Sequence, residues 1–282
     1  MKVLLIILAS AYLSSCSAGE GSEQDLLGRF DRNNDLYLAH FDAKTDVDDI
    51  HSVAGIATML ADSRFSGVNY HAVAGTYGIQ EGLYVPAEDL FDLAFEEHWS
   101  DAHTNFDKAL DEVCRLVIET LNKGGSIWIA EAGQSDFSAA MVRRIQELKP
   151  GVAIDERIRV VQHSDWNEET TTAEDLAFVK EHASYFKIPD GNVLGNGTPG
   201  FQADKPLSWQ ELIGDPRLTK IWAMATAIAS TYNGADGRYV NKSIQAGGLD
   251  FSDVAETAWI FGFDGLVDAN EFFEEFSASK RH

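Results

Sequence analysis

A chain of 282 residues with 45 acidic and 22 basic side chains carries a formal net charge of −23, a surface that repels phosphate backbones. No basic cluster or arginine stripe offsets that charge, so the composition argues against nucleic acid as a partner. With 45% hydrophobic residues the chain is long and apolar enough to bury a full core as one large domain.

In chain order, Lys2 and the apolar run 3–8, too short to span a bilayer, precede Leu13-Ser14-Ser15-Cys16. This order resembles the lipobox of bacterial lipoproteins, in which Cys16 becomes the lipidated first residue of the mature chain. An ordinary cleaved signal peptide is the alternative. The resemblance implies a signal peptide over residues 1–15 and a bacterial protein exported to the periplasm or cell surface. The lipid on Cys16 would be its only membrane contact. Residues 16–34 read as a flexible tether, and 35–282 as the folded domain. Cys114 is the only other cysteine, so no intrachain disulfide is expected, and its apolar helical surroundings predict a small core residue rather than a nucleophile.

The domain opens with a strand over Leu36 to Phe41, followed by an acidic loop and a helix from Ile50 to Leu60. A second strand spans Val68 to Ala74. A helix over Phe106 to Leu121 and a strand over Ser126 to Ala130 follow, then a helix from Ser138 to Leu148. Next come a strand over Ile158 to Gln162 and a helix from Thr172 to Ala183, with Thr172-Ala173-Glu174-Asp175 as its start signal. Strands alternating with helices predict an α/β fold, a mostly parallel open sheet with helices on both faces. Two irregular stretches, Gly191 to Trp209 and Asn233 to Gly248, read as loops near a site.

In open parallel sheets ligands bind at the carboxyl ends of the strands. Asp42, Gly75 to Gly78, Ala132 to Asp136 and His163 to Asn167 each follow a predicted strand, so four loops should converge. The first, Asp42-Ala43-Lys44-Thr45-Asp46-Val47-Asp48-Asp49, places four carboxylates within eight residues. They repel one another unless a cation or a polyol hydroxyl array compensates. The alternative is a solvated acidic turn at a helix start, where acids are favourable in any case. Asp31 to Asp35 and Asp264 to Phe272 each match part of an EF-hand loop, but Leu36 stands where glycine is needed, and Ile260 and Gly262 where carboxylates are needed. His51 and His163 form no His-x-x-x-His or Cys–His pair, which argues against zinc. His163, at a strand end, is a candidate ligand contact, whereas His40 lies inside the first strand and reads as structural.

The acidic loop resembles the D-x-D-x-x-x-D-D pattern of the nucleoside hydrolases, with Asp42, Asp48 and Asp49 at its first, third and fourth acids. Lys44 replaces the second, and Asp46 is a stand-in two residues on. Ile129 to Asp136 resembles the family's segment ending G-P-L-T-N, Asp165-Trp166-Asn167 its E-F-N segment, and Ser252-Asp253-Val254-Ala255 its H-D-x-x-A element. The resemblance implies a hydrolase of N-glycosidic bonds acting on a nucleoside or related ribosyl or glycosyl compound. Asp49, Asp253, the carbonyl of Asp136 and Asp42 or Asp46 would hold Ca²⁺, unless the Lys44 ammonium takes the ion's place. Asp42 or Asp46 would be the general base, and Asp48, Asn167 and Asp165 would bind sugar hydroxyls. His163 and Trp166 would contact substrate, with Tyr77 and Phe201 further candidates for an aromatic wall. Ser252 stands where many relatives carry a histidine that assists the departing base, and Gly78 where asparagine is common. Two other readings therefore stay open: a non-catalytic sugar- or nucleoside-binding lipoprotein, and a glycan-active hydrolase of the same fold. The oligomeric state is left open.

Overall fold

Every residue of Leu36-Tyr37-Leu38-Ala39-His40-Phe41 is buried, the pattern of a strand covered on both faces of a parallel sheet. The computed structural model describes residues 26–276, so Cys16 and the expected signal segment lie outside the described residues. A hairpin of β1 (Leu26–Leu27) and β2 (Phe30–Asp31) leads into β3 (Leu36–Phe41), α1 (Asp48–Leu60), β4 (Asn69–Ala74), α2 (Glu88–Phe95) and β5 (Trp99–Asp101). Then follow α3 (Phe106–Asn122), β6 (Ile127–Ala132), α4 (Asp136–Leu148), α5 (Ile154–Arg157), β7 (Ile158–Gln162), α6 (Asp165–Thr170), α7 (Ala173–His182) and β8 (Ser184–Lys187). The remainder comprises β9 (Gln202–Ala203), α8 (Trp209–Leu212), α9 (Pro216–Tyr232), α10 (Lys242–Gln245), β10 (Leu249–Asp250), α11 (Ala255–Phe261) and α12 (Ala269–Phe276).

The central sheet has six strands in the order β5-β4-β3-β6-β7-β8, every neighbouring pair parallel. The chain builds one half outward from β3 and then returns to build the other from β6. The switch point therefore lies between β3 and β6, where open α/β sheets leave a crevice at the carboxyl edge. Phe41 pairs with both Ala74 and Ala132, which brings Asp42, Gly75 and Gly133 together just beyond that edge. Alternate residues feed opposite faces: Tyr37, Ala39 and Phe41 join the core with α1, α9 and α11, while Leu36 and Leu38 join the core with α3 and α4.

Three local expectations are corrected. The tether was expected to run to residue 34, yet Phe30 is fully buried 5.1 Å from Phe261, and Arg29 N–H donates to the Ile260 carbonyl. Phe30, with the partly buried Leu27, docks the segment against the core. Thr172 precedes α7, but its hydroxyl bonds Asp136 instead of capping the helix. Finally, α2, β5, β8 and α9 lie where no element was read. Cys114 is buried in α3 with its thiol pushed up to about 12 by burial, in keeping with a packing role. Among the described residues no helix is long and apolar enough to cross a membrane.

Candidate functional site

The acidic loop between β3 and α1 is held in an unusual conformation. Ala43 and Thr45 have φ of 46° and 69°, and Ser164, after β7, has φ of 67°. For a β-branched residue such as Thr45 this is a genuine outlier, which persists only where the surroundings over-determine it. Main-chain bonds supply that constraint: Thr45 N–H donates to Leu83, Val85 N–H to Ala43, and Tyr239 N–H to Thr45. Gly133 closes the opposite wall with φ of 143°, where an added Cβ would lie 2.7 Å from the Asp42 Cβ. Its carbonyl accepts a 2.6 Å bond from Gln162 Nε2.

These loops enclose a cavity of about 760 Å³ at the carboxyl edge of the sheet, lined in part by Asp42, Asp46, Asp48, Asp49, His163, Trp166, Asn167 and Asp253. Asp42 and Asp49 arrive from the first strand–helix turn. Asp253 comes from the far end of the chain, on the turn before α11, where its Oδ2 accepts from Ser52 Oγ at 3.4 Å. Asp42 Oδ1 accepts the Lys44 N–H at 2.9 Å and its Oδ2 accepts Gln80 Nε2 at 3.1 Å. Asp49 Oδ2 accepts the Ala43 N–H, but its buried Oδ1 has no hydrogen-bond donor, and the carboxyl faces that of Asp42. Two carboxylates so placed need a shared proton or a cation between them.

Burial raises the pKa of Asp42 and Asp250, and pushes those of Asp48, Asp49 and Asp253 well above the ordinary carboxylate range, with neighbouring carboxylates adding to the rise in these three. Asp46 is pushed up to about 6 by burial and by Asp250 and Asp42, against opposing bonds from Val47 N–H and Asn241. His163 differs. Burial disfavours its imidazolium, yet Glu256, with Asp253 and Asp190, raises its pKa to about 9. Its Nδ1 lies 2.7 Å from Glu256 Oε1, and its Nε2 lies 3.9 Å from both Asp253 and Asp190. His51 is held neutral, its pKa lowered to about 4 by burial, while its Nδ1 accepts the Asp250 N–H.

Two expected site residues lie elsewhere. Asp136 opens α4, so its carbonyl belongs to the helix's own ladder, and its side chain bonds Thr172 rather than reaching the cavity. Asp165 points outward, 92% exposed, with Lys187 Nζ at 3.0 Å. Phe201, expected as a wall, is buried and stacked on Phe251 at 5.2 Å. The Lys44 ammonium sits 4.3 Å above the Tyr77 ring, and among the described residues it forms no ion pair within 4.0 Å. In return the cavity gains Asp190, Asn192, Gln202, Asp204, Tyr239, Asn241 and Asp250. Most of them belong to the two irregular stretches, whose Gly and Asn content marked loops near a site without marking residues. Asn241 Nδ2 bridges Asp250 (2.8 Å) and Asp46 (3.3 Å), and the Ser252 hydroxyl is held by Asp250 (2.9 Å) and Asn192 (3.1 Å).

The donors are hard oxygens, and Asp49 Oδ1 lacks a partner, so the site suits a cation such as Ca²⁺ in donor type. The shell is not preassembled: among the described residues no group of three or more His, Cys, Asp or Glu side chains is close enough to hold an ion. Comparison of the chain with protein-family models, curated proteins and solved structures found no match. Fold and site together define an open α/β protein with an acid-lined cavity at its switch point.

Proposed function

We propose that this chain hydrolyses N-glycosidic bonds in a nucleoside or a related ribosyl or glycosyl compound. The observation that carries the reading is the meeting of Asp42, Asp48 and Asp49 with Asp253 around one cavity, with Asp49 Oδ1 left unpaired. Breaking a glycosidic bond passes through an oxocarbenium-like state, positive at the sugar, which closely held carboxylates stabilise. Asp46, at about 6, is tuned to take a proton from water near neutral pH, and Asp42 is oriented by Gln80 to share that role. Asp48 and Asn167 would hold sugar hydroxyls, and Trp166 would wall the leaving group. Asp49 and Asp253, with Asp42 or Asp46, would hold Ca²⁺. When bound, the ion would add a positive centre for vicinal hydroxyls and acidify a bound water.

The test is turnover on a panel of nucleosides and glycosides, with calcium and with chelator. Asp48→Asn and Asn167→Ala should each cut kcat/KM by roughly tenfold to a hundredfold, the loss of one charge-assisted bond that strengthens in the transition state. A deoxyribosyl analogue should be a poor substrate, and equal rates on ribosyl and deoxyribosyl compounds would remove the hydroxyl clamp. The unassembled ion shell favours a second reading, a sugar-binding protein without catalysis. Binding without turnover across the panel would establish it. Glycoside turnover with nucleosides inert would indicate a glycan-active hydrolase.

A further inference from the structure

The cavity is lined by eight aspartates against two lysines and one histidine, so even a bound divalent ion would leave carboxylates in excess. One of these carboxylates, Asp49, is 2% exposed and has an oxygen with no donor. At the mouth, Trp166 and Tyr239 line the same cavity while 46% and 55% exposed. Among the described residues neither ring packs against another aromatic ring or carries a cation over its face. Both rings thus keep about half of their surface open to water, although exposing large aromatics is costly. Lys44 over Tyr77 shows a cation already held against a ring beside this loop. Negative walls leading to partly exposed aromatic rings complement a flat, positively charged ring.

We propose that the preferred ligand is a cationic N-glycoside of an aromatic heterocycle, a glycosyl pyridinium, bound with its sugar among the aspartates and its charged ring against Trp166 and Tyr239. The substrate class rests on the hydrolase reading above; the binding preference does not. Hydrolysis of such a cation breaks the bond between the anomeric carbon and the ring nitrogen. Its electron pair returns to the nitrogen, so the heterocycle leaves neutral with no proton delivered to it. Water forms the new bond to carbon, and the one proton released passes to a carboxylate. The same charge pattern disfavours a phosphorylated ligand.

The experiment is calorimetric titration of the full chain with three probes: the N-ribosyl carbamoylpyridinium cation, its uncharged C-ribosyl benzamide isostere, and the cation's phosphate monoester. The cation should bind roughly tenfold or more tighter than either, with a margin that shrinks as salt is raised. Trp166→Ala and Tyr239→Ala, both at exposed positions, should each shrink that margin about threefold or more, because the cation loses more than the neutral isostere does. Equal binding of cation and isostere, no binding of the cation, or a margin indifferent to both substitutions would overturn the proposal. Preferential binding without turnover would leave it standing and remove the hydrolase. Turnover of neutral nucleosides with no preference for the cation would do the reverse.

Discussion

His163 shows how one side chain can be charged inside a core. Its ring is 1% exposed, and Glu256, fully buried, supplies both the 2.7 Å contact to Nδ1 and the acceptor for the His163 N–H at 3.0 Å. The folded pKa of about 9 lies above the ordinary histidine value of 6.5. The stabilising contribution is therefore complete below pH 6.5, fades as pH rises through about 9, and amounts to roughly 3 kcal/mol. Glu256→Gln should cost about 3–5 kcal/mol at pH 6, since it strands a buried charge, and much less at pH 10. Denaturant melts at the two pH values would measure the difference. A deficit of the same size at both would mean that His163 is neutral throughout. At this scale the strand-end position of His163 is legible in the sequence. Glu256 is not, because it lies 93 residues away and meets His163 only when α11 packs on the sheet.

Among the elements, α1 carries Asp48 and Asp49 and packs on both α9 and the turn that bears Asp253. Gly55 makes the second contact possible: an added Cβ would lie 2.8 Å from Val254 Cγ2 and 3.3 Å from Phe251 Cδ2. Gly55→Ala should therefore destabilise by about 1–3 kcal/mol through overpacking and should weaken any calcium-induced gain in Tm, because Asp253 moves relative to Asp49. Gly265→Ala, with nothing within 4 Å of its Cβ, serves as the control. Undiminished stability and calcium response in Gly55→Ala would show that this turn tolerates displacement. The strands β3 and β7 were readable from their apolar runs. The helix α9 begins with Asp215 accepting from Arg217 and Leu218 and with Pro216 in its first turn, a readable start. Its placement against α1, through Trp222 Nε1 donating to Thr58 Oγ1 at 2.9 Å, has no local signature.

For the molecule as a whole, the balance is between crowded negative charge and what neutralises it. Folded carboxyls with raised pKa bind protons more tightly than unfolded ones, so their contribution to stability falls as pH rises above 3.8. A cation that takes the place of protons on these carboxyls should reverse that loss. Calcium at a hundredfold its Kd should add about 2.7 kcal/mol, raise Tm more at pH 8 than at pH 5, and lose its effect on chelation. Asp49→Ala should abolish the difference. If sodium chloride of matched ionic strength raised Tm equally, general screening of the net charge of −23 would explain the gain.

The alternation of strands and helices, and the acids placed just past Phe41, follow from local patterns: apolar runs that must be buried and polar residues that cannot be. Those features were set by the sequence alone, and they located the crevice. Which carboxylates share it was decided by tertiary structure. Asp136 and Asp165, adjacent to the right strands, turn to Thr172 and Lys187, because a helix start and an exposed lysine satisfy them at once. Asp190, Asp250 and Asn241, from segments without periodicity, enter the cavity because the folding of distant loops over the switch point brings them there. Lys44 was legible as a cation among acids, but its preference for the Tyr77 face depends on a loop more than thirty residues further along the chain. Short-range burial writes the scaffold into the sequence, whereas long-range convergence of charges depends on the packed whole, where desolvation sets which of them can coexist.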